Sequence, residues 1–345
     1  MGIARNIADA IVREHRHRPI SGDVVVIGRQ TIYLSPSGAV DLVRSHGVVP
    51  ATENPAIDHR TLNRSPDFNG VDLVSDAGFF ALLGVENCRA LDRTAYEGAE
   101  IIHDLSEPLP ERLRETADLV VDGSTLDNTF NPARTLRTYA ELLRPGGRLI
   151  ATDSWSTNTD PYVACSPFWF LDYFVANRFV DCKVYVLAYL RDHTINAFVL
   201  DPMQVFDPRR ELRAFSLARE MATFVIAEKG PNSTVDRVPI QGAYRSAEDW
   251  LAYRRDFAAF ALAHRSHIVC STGPLGIRQP PPGYLYVNQR CQAMECDVAS
   301  QMQNGLPAAA KSAIRAVAPG IGIGRVVKRL VRAAATLRPR AEQDF

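Results

Sequence analysis

Residues 117–153 read ADLVVDGSTLDNTFNPARTLRTYAELLRPGGRLIATD, and this stretch decides the fold. A short apolar run, 118–122, ends in an acid followed by small polar residues. The segment 132–143 is amphipathic, with Leu136, Tyr139, Ala140 and Leu143 at helical spacing. Pro145-Gly146-Gly147 is expected to stop that helix, since proline cannot continue it and glycine accepts the positive φ of a helix exit. A second apolar run, 148–152, then leads into Asp153. Strand, helix and strand in this order make a unit whose right-handed crossover sets the two strands parallel.

The same alternation extends in both directions. Residues 24–28 form a continuous β-branched run of the kind buried in the middle of a parallel sheet, and 37–46 reads as the helix after it. Two short strands, 88–91 and 99–103, each end at an acid, Asp92 and Asp104. Runs at 183–189 and 222–227 bring the total to seven strands. Strands alternating with helices indicate an α/β fold, a Rossmann-like, mostly parallel sheet with helices on both faces and a C-terminal extension. The run 24–28 is expected in the centre and 183–189 near an edge. Residues 1–20 read as an N-terminal helix and 21–230 as the sheet domain, with insertions near 48–70 and 190–221. Residues 231–310 form a loop-rich and helical extension, and 311–345 a basic C-terminal tail.

The chain has 345 residues, 46% of them hydrophobic, with 39 basic and 39 acidic side chains. Such a balance gives no overall field favouring nucleic acid. The N-terminal stretch lacks the apolar core of a signal peptide, and no run reaches the roughly 20 apolar residues that span a bilayer. Six cysteines scattered through a long chain read as reduced thiols, and a cytoplasmic setting is expected. No metal site is expected: Cys291 and Cys296 have no second close pair, and His267 and Cys270 are too loosely placed for a zinc framework. Phosphate-loop and serine-esterase motifs are absent. In the tail, Ile321, Val326, Val327, Leu330 and Val331 intersperse with Arg and Lys, a pattern that could lie weakly on an anionic membrane surface. A helix docked on its own domain, or a disordered end, fits that pattern as well.

In open α/β sheets ligands bind outside the carboxyl ends of the strands, where the strand order reverses. The polar residues at those ends are Gly28-Arg29-Gln30, Asp92, His103-Asp104-Leu105 and Asp122-Gly123-Ser124-Thr125. A carboxylate after the second strand can accept both hydroxyls of a ribose. An acid and a backbone amide after the third can hold adenine, which brings in Asp104 and Leu105. Arg29 could pair with a ligand carboxylate or with an acid of the protein. Asp residues at strand ends also cap turns, so Asp92, Asp104 and Asp122 each have that plainer role open. His103, beside Asp104, and His193, beside Asp192, are the candidate general bases, although histidine in a turn or core is commoner. Among the aromatics after the fifth strand, Trp155 and Tyr162 could wall a substrate, whereas Trp169 and Phe170 read as helix packing. Trp155, in a polar stretch, is the substrate-binding candidate.

"DLVVDGSTLDN" followed by "LLRPGGRLI" resembles the fourth and fifth strands of class I S-adenosylmethionine-dependent methyltransferases. "GVENCRALDRTAYEGAEIIHDLSEPLPERL", "SPFWFLDYFVANRF" and "AEKGPNSTVDRVPIQGAYR" are similar to a methyltransferase-like group met in bacterial surface-glycan gene neighbourhoods. The likeness covers roughly residues 20–245. It implies S-adenosyl-L-methionine as cofactor, with contacts at Gly28, Asp92, Asp104 and Asp122-Gly123. The family's glycine-rich loop, acid-x-Gly-x-Gly-x-Gly, is absent, and the chain has Val26-Ile27-Gly28-Arg29-Gln30-Thr31 instead. Two functions follow: O- or N-methylation of a small-molecule or sugar acceptor, or a non-catalytic relative that binds or scaffolds in glycan assembly.

Overall fold

A computed structural model describes residues 2–59, 70–156, 161–189, 195–200, 220–258, 260 and 284–289. In chain order the first half contains β1 (Gly2–Ile3), α1 (Arg5–His17), β2 (Asp23–Ile27), β3 (Thr31–Ile32), α2 (Pro36–Ser45) and α3 (Asp76–Leu82). Next come β4 (Asn87–Asp92), β5 (Ile101–Ile102), β6 (Ala117–Gly123), α4 (Pro132–Leu142) and β7 (Leu143–Ser156). The second half adds α5 (Pro167–Ala176), β8 (Asp181–Tyr189), β9 (Ile195–Leu200), β10 (Glu220–Glu228), a helix here numbered α6 (Ala247–Ala258) and β11 (Tyr284–Gln289).

One sheet carries nine of these strands in the order β11-β9-β8-β10-β7-β6-β2-β4-β5. From β7 to β5 all neighbours are parallel. β10 enters antiparallel between β7 and β8, and β9 and β11 continue antiparallel beyond β8. All seven expected strands are present, and the mostly parallel α/β sheet holds for them. Strand order reverses between β2 and β6, which makes that gap the ligand crevice of such a sheet.

The core is two layers, one on each face. Along β2, Val24 and Val26 turn to the face covered by α1, α2 and α3, where Ile7, Ile11, Val40, Val43, Phe79 and Phe80 pack. Val25 and Ile27 turn to the other face, against Leu136, Tyr139, Phe170 and Phe174 of α4 and α5. A strand apolar on both sides is what a central parallel position requires. Tyr253 and Phe257 of α6 join this second layer. The Arg245 guanidinium lies 3.8 Å from the Tyr253 ring centroid and pairs with Asp172 of α5 at 2.7 Å.

Three expectations change in detail. Pro145-Gly146-Gly147 does not end the helix: α4 stops at Leu142, and the three residues lie inside the 14-residue β7. Gly146 takes φ +85° there, while its N–H donates to Lys229 O and the Lys229 N–H returns to Gly147 O. The tripeptide therefore bends a strand against β10. The run 99–103 shortens to a two-residue strand. The strand expected near an edge, β8, is third from it, because β9 and β11 extend the sheet. The basic tail and its membrane contact, His193, and the cysteines from Cys270 onward lie outside the described residues.

Candidate active site

The loop after β2 begins at Gly28, whose φ of +66° is a conformation that side-chain-bearing residues avoid. Its N–H donates to Leu91 O at 2.7 Å. Arg29 turns away from the sheet edge into a buried cluster. Its guanidinium meets Asp76 at 3.0 Å, Glu100 at 3.2 Å and the carbonyl of Gly98 at 2.7 Å. Burial pushes the Asp76 carboxyl up, against the pull of Arg29. Gln30 is fully buried. Its Nε2 donates to Ile27 O at 2.5 Å, and a Cβ on residue 123 would run into its Oε1. A side chain at 123 would have to push the end of Gln30 aside. Gln30 Oε1 itself has no partner.

At the end of β4, Asp92 is half-buried and accepts from the Arg93 N–H at 2.6 Å. Its carbonyl receives the His103 N–H at 2.9 Å, which joins the β4 and β5 ends. Asp104 accepts from the Ser106 N–H at 2.9 Å and pairs with Arg93 at 3.2 Å. The Ser106 amide, with Arg93 and His103 adding to it, holds that carboxyl below its usual range. Leu105 packs against the α4–α5 layer. His103 is buried, and desolvation followed by Arg134 lowers its pKa, so its ring is neutral at pH 7. Its Nε2 has no partner. β5 is three strand spacings from β6, about 14 Å. His103 thus shares the β4–β5 end with Asp92 and Asp104, apart from the β6 loop.

Asp122 is of a different kind, buried at the end of β6. One oxygen accepts the Thr125 N–H at 2.7 Å. The other accepts the Leu126 N–H at 3.1 Å and the Tyr139 hydroxyl at 3.0 Å. Burial pushes its pKa up to about 6. Thr125 Oγ1 donates to Ile27 O at 2.9 Å, which ties the β6 loop to the end of β2. Two further acids complete the floor, Asp127 and Asp153. Asp127 accepts from Ser124 Oγ at 2.9 Å and the Ser154 N–H at 2.8 Å, and its own N–H donates to Asp153 Oδ1 at 3.3 Å. Asp153 Oδ2 is buried without a partner, and burial followed by Asp122 and Asp127 raises that carboxyl well above its ordinary value. Asp153 closes the apolar run 148–152 in the sequence, so the rule that selected Asp92 and Asp104 could also have selected it, although β7 continues to Ser156. Gln30 is among the polar residues after the first strand, whereas Asp127 carries no such signal. Trp155, beyond Asp153 on β7, is partly buried against the α4–α5 layer. Among the described residues no group of three or more His, Cys, Asp and Glu side chains could hold a metal ion, and no helix is long and apolar enough to cross a membrane.

No family model matches the sequence, and no curated protein matches it. Solved structures give matches. A SAM-dependent methyltransferase from Thermotoga maritima is 12% identical, with a TM-score of 0.34 over 65% of this chain and 89% of that one. Haemonchus contortus phosphoethanolamine N-methyltransferase 2 is 9% identical, with a TM-score of 0.34 over 64% of this chain and 52% of that one. The Burkholderia thailandensis 1,6-didemethyltoxoflavin-N1-methyltransferase is 13% identical, with a TM-score of 0.27 over 64% and 76%. Likeness at this level brings neither activity nor substrate to the chain.

Proposed function

We propose that the chain binds S-adenosyl-L-methionine along the carboxyl ends of β2, β4 and β5 and methylates an oxygen or nitrogen of a small-molecule or sugar acceptor. The observation that carries this reading is Asp92, a half-exposed carboxylate at the end of β4, one strand beyond the β2–β6 switch point, with only the Arg93 amide bonded to it. Its free oxygen suits a ribose diol. Asp104, Leu105 and neutral His103 adjoin it and suit the adenine end. At the amino-acid end the fit is poorer, since the unpartnered Gln30 Oε1 is buried against Gly123 and would have to turn to meet an ammonium. Arg29 is spent on Asp76 and Glu100, and Asp122 on its own loop. When bound, the cofactor supplies a methyl group on a sulfonium, which an acceptor lone pair attacks in line. The chain's part is to orient both partners and keep water out. Trp155 stands on the acceptor side of this arrangement, and a cytoplasmic setting belongs to the same reading.

A second reading, a non-catalytic binding or scaffold protein in glycan assembly, is favoured by one observation. The loop after β2 lacks the glycine-rich pattern, and its Gln30 carboxamide is buried against Gly123 of the β6 loop. Calorimetric titration with S-adenosylmethionine and S-adenosylhomocysteine separates the two. Saturable heat supports the enzyme, and none at millimolar ligand supports the scaffold.

A further inference from the structure

Two large aromatic side chains stand in solvent on the β6–β7 side of the crevice. Phe130 is 89% exposed and Tyr162 is 72% exposed, yet their rings meet edge-to-face with centroids 6.1 Å apart and planes at 83°. The segments that carry them are fixed from below. Val163 N–H donates to Asp127 O at 3.2 Å, Ser154 N–H to the Asp127 carboxylate at 2.8 Å, and Cys165 N–H to Ser154 O at 2.8 Å. A buried, hydrogen-bonded base holds an exposed apolar corner, and such a corner is costly to leave in water unless something covers it.

The surroundings say what kind of molecule fits. From Ser124 to Asn131 the one charged side chain is Asp127, and from Pro161 to Phe168 there is none. The Asp127 carboxylate is consumed by Ser124, Asn128 and Ser154. The nearest cation along the chain, Arg134, is turned to Glu141 at 2.7 Å and to Glu107 O. What the Phe130 segment offers besides its ring is amide. Asn128 uses its Nδ2 on Ser124 O, leaving its Oδ1, and Asn131 uses its Oδ1 on the Arg134 N–H, leaving its Nδ2. Within these two described segments a charged ligand would find no free counter-ion. A neutral ring with C–H groups on its faces and hydroxyls at its rim would find aromatic faces and amides.

We infer that Phe130 and Tyr162 form the acceptor platform, and that the acceptor is an uncharged pyranose sugar. The inference rests on the methyl-transfer reading for the word acceptor, but the platform itself does not need it. Saturation-transfer NMR of the full chain against millimolar maltotriose, cellotriose and a rhamnose trisaccharide tests it. At least one of these neutral sugars is expected to bind. Phe130→Ala and Tyr162→Ala should each weaken that sugar tenfold or more at unchanged melting temperature, and Phe130→Trp should retain it. Three results overturn the inference: no signal from any neutral sugar, stronger binding of trigalacturonate or of the amino sugar chitosan trimer, or equal binding by both alanine variants. S-adenosylhomocysteine titrated in parallel keeps the two claims apart. Cofactor binding without sugar binding sinks the platform alone, and sugar binding without cofactor binding sinks methyl transfer alone.

Discussion

Asp153 lies near the end of β7, with one oxygen on the Asp127 N–H and the other buried without a partner. Burial, then Asp122 and Asp127, raise its pKa in the folded chain, so it keeps a proton at pH values where the unfolded chain has lost it. Asp122 does the same up to about pH 6. Where the folded state binds more protons, stability falls as pH rises. These two groups therefore stabilise the fold most below the unfolded carboxyl value, and Asp122 loses its share between there and about pH 6. Asp153→Asn preserves the acceptor for Asp127 and removes the ionisation. It is expected to raise stability at pH 8 and to flatten the melting temperature between pH 5 and 8. An unchanged pH profile would contradict this. Gly28 gives a second test. At φ +66° a β-carbon is strained whatever binds nearby, so Gly28→Ala should cost about 1–2 kcal/mol in denaturant melts without any ligand. An unchanged midpoint would contradict the left-handed backbone. The strand-end acids were legible in the sequence as polar residues closing apolar runs. Which of them is open to a ligand was not. Asp122 is closed by Tyr139, and Arg29 is consumed by Asp76, partners far along the chain that no local pattern names.

The elements were legible where periodicity is strong and less so where one contact sets a boundary. β2, β6 and α4 stand close to their sequence limits, since their apolar patterns are buried on the faces those patterns imply. Pro145-Gly146-Gly147 was misread because its backbone bonds go to Lys229, a partner about 80 residues away. α1 belongs to the sheet layer through Ile7, Ile11 and Val12, and a buried ion pair fastens it. Glu14 meets Arg148 of β7, whose guanidinium also donates to Arg18 O at 3.1 Å and Pro19 O at 2.9 Å. Removing one member leaves a buried charge, which typically costs 3–5 kcal/mol. Glu14→Gln should therefore destabilise the protein by an amount near that range and speed amide exchange across residues 5–17. The double change Glu14→Met with Arg148→Met should recover much of the loss. If Glu14→Gln leaves exchange in α1 unchanged, the helix is held by its apolar face alone.

On the scale of the whole molecule, the α/β class and seven strands followed from alternation along the chain. Their lateral order did not, because it depends on which non-adjacent strands pair. The consequence for function lies in that order. It brings the ends of β2, β4 and β5 side by side, with Asp92 one strand from the reversal, and sets Phe130 and Tyr162 across from them on the β6–β7 side. A ligand that follows the edge would reach Asp92 first by chemistry, since this carboxylate is half-exposed while Asp122 is closed. Charge-assisted hydrogen bonds from a ribose diol contribute about 1.5–3 kcal/mol each. The most direct test is calorimetric titration of S-adenosylhomocysteine into the wild-type chain and into Asp92→Ala, with the melting temperature of each measured without ligand. Saturable binding by the wild type, weakened tenfold or more in Asp92→Ala at nearly equal melting temperature, is the expected result. Absence of binding by the folded wild type, or equal affinity in the two proteins, would contradict it.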